Sequence, residues 1–187
     1  MTYDVILADP PWSYHGAQDK WGAAAKFYGT VDDERLKTFP MGALLAERGV
    51  LFLWATCPRL DFAIECIRAW GLAYRGVAFL WVKTKQGTET PVGAQGVRPS
   101  IVKPVVELVL AASRVAKGRP MALGSEAVRQ VVLAPRGEHS AKPTEVQERI
   151  EALYPDASKL ELFARARRET WACWGDQVPC DVEIDWR

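Results

Sequence analysis

Four consecutive residues, Asp9-Pro10-Pro11-Trp12, bring together a carboxylate, two imino acids and a flat aromatic side chain. Proline fixes φ and has no N–H, so the carbonyls of such a segment are free to face a ligand. An exocyclic aromatic amine is a poor nucleophile, because its lone pair is conjugated into the ring. A carboxylate and a carbonyl that accept its two N–H hydrogens favour the tetrahedral, nucleophilic nitrogen. The face of Trp12 suits stacking on a base that has left its duplex. The same residues also suit an ordinary strand exit, with a turn aspartate and a packed tryptophan.

Two further places draw attention on chemistry alone. Glu107 interrupts the apolar run Val105-Val106-Leu108-Val109-Leu110. A carboxylate there is costly to bury unless it is paired, so it reads as a contact to a base edge or as a solvent-facing edge residue. Residues 84–103 carry Gly87, Gly93, Gly96, Pro91 and Pro99 among Lys85, Arg98 and Lys103, with Lys83 at the entrance. A glycine-rich basic stretch reads as a nucleic-acid clamp or as a solvated loop.

The elements that must position these residues follow from pattern. Residues 3–8 are a short apolar strand, which puts Asp9 at a carboxyl end, where open α/β sheets bind ligands. Residues 13–26 read as a flap, longer than a packed domain usually keeps without a use. A helix over 34–39 is capped by Asp32 or Asp33 and ended by Pro40. A second helical piece over 41–47 stops at Gly49, and 50–55 is a strand apolar on both faces. The helix over 58–70 begins with Pro58, carries the stripe Leu60, Ala63, Ile64 and Ile67, and stops at Gly71. Strands follow over 73–82, 105–112 and 131–134. Thr144 and Gln147 form a capping-box pattern for a helix over 144–153. Lys142, just before that helix, opposes the helix dipole, which favours a functional lysine. Residues 159–163 alternate as a strand, and 171–174 are a last one. This alternation predicts a three-layer α/β fold, Rossmann-like, with a mostly parallel sheet of about seven or eight strands.

Composition narrows the classes. The chain has 187 residues, 49% apolar and 25% charged, with a formal net charge of +1. That is one globular domain over 1–187, without the strong positive charge of a tight non-specific nucleic-acid binder. There is no membrane-length apolar run and no signal-peptide pattern, so a cytoplasmic protein is expected. The four cysteines form no Cys-x-x-Cys pair and the two histidines stand apart, so no metal site is expected and the thiols read as reduced.

Ala8-Asp9-Pro10-Pro11-Trp12, Phe27-Tyr28-Gly29-Thr30, Leu51-Phe52-Leu53-Trp54, Trp81-Val82-Lys83-Thr84, Lys142-Pro143, Glu161-Leu162-Phe163-Ala164-Arg165 and Trp174-Gly175-Asp176-Gln177 occur in this order along the chain. In these stretches it resembles the MT-A70 family of S-adenosylmethionine-dependent N6-adenine methyltransferases. The resemblance implies a permuted order, with the catalytic motif before the cofactor strand. It implies that Asp9, Pro10, Pro11 and Trp12 are catalytic, and that Tyr28, Lys83, Glu107 and Lys142 meet the substrate. It implies a cofactor site at Ala8, Asp9, Lys142, Phe163, Arg165, Arg167, Arg168, Asp176 and Gln177. Ala166-Arg167-Arg168 depart from the family's usual Pro-His-Asn, and no glycine-rich turn follows the cofactor strand. Asp176 replaces a frequent Asn.

A flipped adenine is therefore expected against Trp12 and Tyr28, its N6 hydrogens on Asp9 and the Pro10 carbonyl. The partner is nucleic acid, DNA rather than RNA, and a homodimer or paired subunit is expected to add binding surface. Three alternatives stay open. An N4-cytosine methyltransferase usually has Ser at the Asp9 position. A methyltransferase acting on a non-nucleic amine would ignore nucleic acid. A catalytically inactive nucleic-acid-binding partner would fail to bind the cofactor.

Overall fold

The structure, a computed structural model, describes residues 1–13, 31–94, 101–137 and 141–186. Among these, seven strands form one sheet: β1 (Tyr3–Ala8), β2 (Leu45–Thr56), β3 (Ala73–Thr84), β4 (Val106–Ser113), β5 (Val131–Pro135), β6 (Lys159–Leu162) and β7 (Ala172–Trp174). Their spatial order is β5-β3-β4-β2-β1-β6-β7. β1 is parallel to β2 and β6, β6 to β7, and β3 to β5, while β4 is antiparallel to β2 and β3. The expected α/β fold with a mostly parallel sheet is the one observed.

Helices cover both faces, as a sheet buried on two sides requires. On one face α1 (Asp33–Lys37), α2 (Met41–Leu44) and α3 (Leu60–Ala69) pack Leu36, Met41, Phe62 and Ile67 against Ile6, Leu51, Leu53 and Leu110. On the other, α4 (Thr144–Leu153) packs Val146 and Ile150 against Val5, Leu7, Phe52, Trp54 and Trp81. Successive residues of β1 thus enter opposite cores, which is why its sequence is apolar without a break.

Several boundaries differ from the sequence pattern, each for a tertiary reason. The helical piece expected over 41–47 ends at Leu44, because Leu45 already pairs with Tyr3. The register then slips, with Val5 opposite Val50. Gly49 lies in that slip, where a Cβ would stand 3.0 Å from the Asp4 carbonyl oxygen. The helix expected over 58–70 opens as a 3-10 turn (Cys57–Arg59) and buries Phe62 and Cys66 besides Ala63 and Ile67. Gly71 ends it with φ of 75°. Lys83 and Thr84 are the last residues of β3 rather than the start of a loop. The chain then turns sharply, with the Lys85 N–H donating to the Thr90 carbonyl and Val92 N–H to that of Lys83. Thr144 makes no capping box: Pro143 is the N-cap without a side-chain bond, and Gln147 reaches Glu161 instead.

Candidate active site

Asp9 leaves β1 at the carboxyl edge of the sheet, after Ala8 pairs with Leu53 and Leu162. Three charged side chains gather beside it. Lys142 Nζ donates to Asp9 Oδ2 at 2.7 Å and stands 3.4 Å from Glu107 Oε2. Glu107 accepts from Lys83 Nζ through its other oxygen at 2.6 Å. Carboxylate and ammonium therefore alternate along one line: Asp9, Lys142, Glu107, Lys83. The sheet explains the convergence. Lys83 ends β3, while Glu107 lies at the start of β4, whose reversed direction brings its beginning to the edge where the parallel strands end. Lys142 precedes α4, which returns the chain to β6. The ammonium groups also lie over aromatic rings, Lys142 5.4 Å from Trp54 and Lys83 5.1 Å from Trp81, a favourable placement for a cation.

Burial and pairing oppose each other here. Burial pushes the Lys142 ammonium down, but Asp9 and Glu107 outweigh it and hold its pKa above the ordinary lysine value. Burial pushes Glu107 up, but Lys142 and Lys83 hold it below the ordinary value. Both groups stay charged at neutral pH. Lys142 is thus a fixed cation, not a base. Lys142 takes Asp9 Oδ2, and among the described residues no side-chain hydrogen bond is made to Oδ1, which can accept a further N–H.

The structure corrects the role of Trp12 in the Asp-Pro-Pro-Trp stretch and gives the Pro10 carbonyl a partner within the chain. Trp12 is only 6% exposed, packed edge-on to Phe62 at 6.0 Å, with its indole N–H donated to the Trp54 carbonyl at 3.2 Å. Its face belongs to the core and is not open to a base. The Pro10 carbonyl is not wholly free either, since it accepts the Trp12 N–H at 2.8 Å. A carbonyl oxygen has a second lone pair, which stays available to a ligand. Ala8 is fully buried, so its methyl offers no contact to a ligand. Tyr28, expected at the substrate, lies outside the described residues.

Beside Asp9, the ends of β6 and β7 form the expected cofactor side. Phe163 leaves β6 with φ of 61°, a conformation uncommon for a residue with a side chain. Ala164 N–H donates to the Trp174 carbonyl, and a Cβ on Gly175 would lie 2.2 Å from the Ala164 carbonyl oxygen. Only glycine permits that crossing. Asp176 and Gln177 follow it and are exposed. The charge of Arg165 is felt at both Lys142 and Glu161, which places it in the same electrostatic cluster. Arg167 and Arg168 have other work. Arg168 makes two bonds to Glu151 of α4, both 2.7 Å, and Arg167 clasps Asp181 at 2.8 and 3.1 Å. These guanidiniums tie the β6–β7 connection to α4 and to the segment after β7.

Glu161 is the group that sequence reasoning passed over. It lies on β6 opposite Leu7 and accepts from Gln147 Nε2 at 2.7 Å. Burial, and then the charge of Asp9, raise its pKa to about 7. Its signal was present as an acid between Leu160 and Leu162, the same pattern that singled out Glu107. Among the described residues no three His, Cys, Asp or Glu side chains gather as a metal-ligand set, and no helix is long and apolar enough to cross a membrane.

Comparison with known proteins adds identity to this geometry. The MT-A70 family model matches residues 3–177. A Type II methyltransferase, M.MunI, from Mycoplasma sp is 31% identical over 195 residues, covering 95% of this chain and 78% of the relative. An N(6)-adenosine-methyltransferase MT-A70-like protein from Arabidopsis thaliana is 31% identical over 180 residues, covering 95% of this chain and 24% of its own length. The N(6)-adenosine-methyltransferase catalytic subunit METTL3 of Homo sapiens is 29% identical over 178 residues, 94% of this chain and 28% of its own. The chain spans about a quarter of the length of these plant and human relatives. It belongs to the MT-A70 family, a family of S-adenosylmethionine-dependent adenine methyltransferases.

Proposed function

We propose that this MT-A70 chain, acting as a single catalytic domain, transfers a methyl group from S-adenosylmethionine to the N6 of adenine in nucleic acid, with DNA preferred over RNA. The observation that carries the reading is Asp9, held by Lys142 through one oxygen at 2.7 Å and next in sequence to a proline carbonyl. These are the two acceptors an exocyclic amine needs.

The residues present suit the cofactor. Its ammonium and sulfonium charges would complement Asp9, its carboxylate would complement Lys142 or Arg165, and the exposed Asp176 and Gln177 offer polar groups to its nucleoside end. When bound, S-adenosylmethionine supplies the electrophilic methyl. The protein supplies the nucleophile's geometry. Asp9 Oδ1 and the second lone pair of the Pro10 carbonyl accept the two N6 hydrogens and turn the nitrogen lone pair away from the ring. Held by these two acceptors, N6 would face the methyl that the cofactor would supply. The excess N6 proton leaves through Asp9 to water, because Lys142 already carries its proton. Glu107 and Lys83 hold Lys142 in place from the far side. A second subunit adding nucleic-acid surface fits the near-zero net charge.

Nucleoside mass spectrometry after incubation with labelled S-adenosylmethionine and single-stranded DNA, duplex DNA or RNA tests this reading. Label in N6-methyladenine is the expected result, strongest with DNA. Asp9→Ala is expected to abolish it in protein that still folds cooperatively, at a lower unfolding temperature because Lys142 loses one of its two carboxylates. Retained turnover in that variant refutes the mechanism.

A further inference from the structure

The Asp9-Pro10-Pro11 segment poses a mechanical problem. Its two prolines donate no backbone hydrogen bond, and Asp9 N–H reaches the Leu162 carbonyl only at 3.4 Å. Yet the reaction needs the carboxylate and carbonyl fixed to within a fraction of an ångström. The anchorage comes from the two residues that follow, and from a closed ring of contacts behind them. Trp12 is pinned by its indole N–H on the Trp54 carbonyl and meets the edge of Phe62. The Arg59 guanidinium lies 4.3 Å from the centre of the Phe62 ring. Arg59 Nη2 donates to Asp33 Oδ2 at 2.6 Å, and Asp33 Oδ1 accepts from Ser13 Oγ at 2.5 Å. Ser13 is bonded in sequence to Trp12, which closes the circle.

This ring joins the β1 exit, the start of α1 and the turn before α3. It is an expensive way to build stability. The Arg59 and Asp33 side chains are only 11% and 21% exposed, and Arg59 Nε is buried without a hydrogen-bond partner among the described residues. Buried ion pairs tend to break even at best against apolar replacements, so their use points to specificity of position. We infer that Asp33 and Arg59 are positioning residues for methyl transfer, holding the Asp9 carboxylate and Pro10 carbonyl through Ser13, Phe62 and Trp12. The inference rests on the proposed reaction at Asp9 but adds residues that touch none of its reacting atoms.

The test is a double-mutant cycle of Asp33→Asn and Ser13→Ala, with Arg59→Lys and Ser13→Thr beside it. Asparagine keeps the shape of Asp33 and loses its charge. Lysine keeps the charge of Arg59 but loses the flat face over Phe62. The expected result is a fall in kcat of about tenfold or more in Asp33→Asn and Arg59→Lys, since small misplacements of reacting groups cost up to about a hundredfold. The KM and Kd for S-adenosylmethionine should stay near the wild-type values. The double variant should lose little beyond the single ones, and Ser13→Thr should restore what Ser13→Ala loses. Unchanged kcat in folded variants overturns the inference. So does a loss that tracks only the folded fraction, since that marks a merely structural pair. Hydrogen exchange of the Trp12 indole N–H, measured in the free protein, gives a readout independent of turnover. It should quicken in Asp33→Asn, and an unchanged rate counts against the ring. If wild-type protein labels no substrate while that exchange still responds, the proposed reaction fails and the mechanical ring stands.

Discussion

Glu161→Gln isolates one buried proton. Glu161 has an ordinary value of 4.5 and is raised to about 7, first by burial and then by the charge of Asp9, while the Gln147 amide and Arg168 and Arg165 pull it back. Between these values the native state holds a proton that the unfolded chain has released. Stability therefore falls as pH rises through that window. The separation is worth roughly 3 kcal/mol. Glutamine is neutral throughout and can still accept from Gln147, so the variant lacks this loss. Wild type and Glu161→Gln should be similarly stable near pH 4.5, and the variant should lead by an amount approaching about 3 kcal/mol above pH 8. Urea unfolding followed by tryptophan fluorescence at intervals across that range gives the difference. Other titrating groups cancel between the two proteins. A difference that stays flat from pH 5 to 8 refutes the burial argument, and one that favours wild type at high pH reverses it.

Lys142→Met keeps the volume of the side chain but leaves Asp9 and Glu107 without the cation between them; stability should fall by about 3 kcal/mol in denaturant unfolding at pH 7, and turnover should be lost. Gly175→Ala places a Cβ 2.2 Å from the Ala164 carbonyl oxygen and 2.6 Å from its nitrogen, so calorimetry should show a loss of about 1–3 kcal/mol, because no rotamer relieves a backbone contact. Glu151→Gln removes a carboxylate whose pKa its bonds to Arg168 and Trp171 lower to about 2. Its stabilisation is present above the ordinary value of 4.5 and is lost as pH falls toward 2, so variant and wild type should differ at pH 6 and converge at pH 2.

Much of this was legible because it is local. The apolar run before Asp9, the glycine stop at Gly71 and the proline that opens the turn before α3 each act within a few residues. Motif order carried the site as far as Asp9, Lys83 and Lys142, the apolar run around Glu107 singled out the fourth, and the four do converge. What the sequence hid is set by distant partners. Ala46 and Glu47 favour a helix, but pairing with Tyr3 puts Leu45 into β2. Trp12 offers the same face to a core or a base, and only the Trp54 carbonyl decides which. Thr144 and Gln147 carry the spacing of a capping box, yet Gln147 faces a half-buried acid on β6. Arg167 and Arg168 stand where a cofactor contact belongs in the family pattern, and the acids that claim them lie 14 and 17 residues away.

The strand order explains how residues 133 positions apart in sequence come within 2.7 Å. β5 lies at one edge of the sheet, and the next strand in sequence, β6, lies beyond β1. The connection must cross β3, β4, β2 and β1, and α4 is its helix. From β5 to β1 is four strand spacings, about 19 Å. The residues from Pro135 to Lys142 reach at most about 25 Å. That reach is enough for α4 to begin beside Asp9. The reversed β4 then contributes its first turn of side chains to the same edge, which is why Glu107 looks like an interruption in sequence and stands at a strand start in space. Each member of the charged line thus leaves the end of a strand or the start of a helix. Rigid elements, rather than long loops, carry the residues of this charged line.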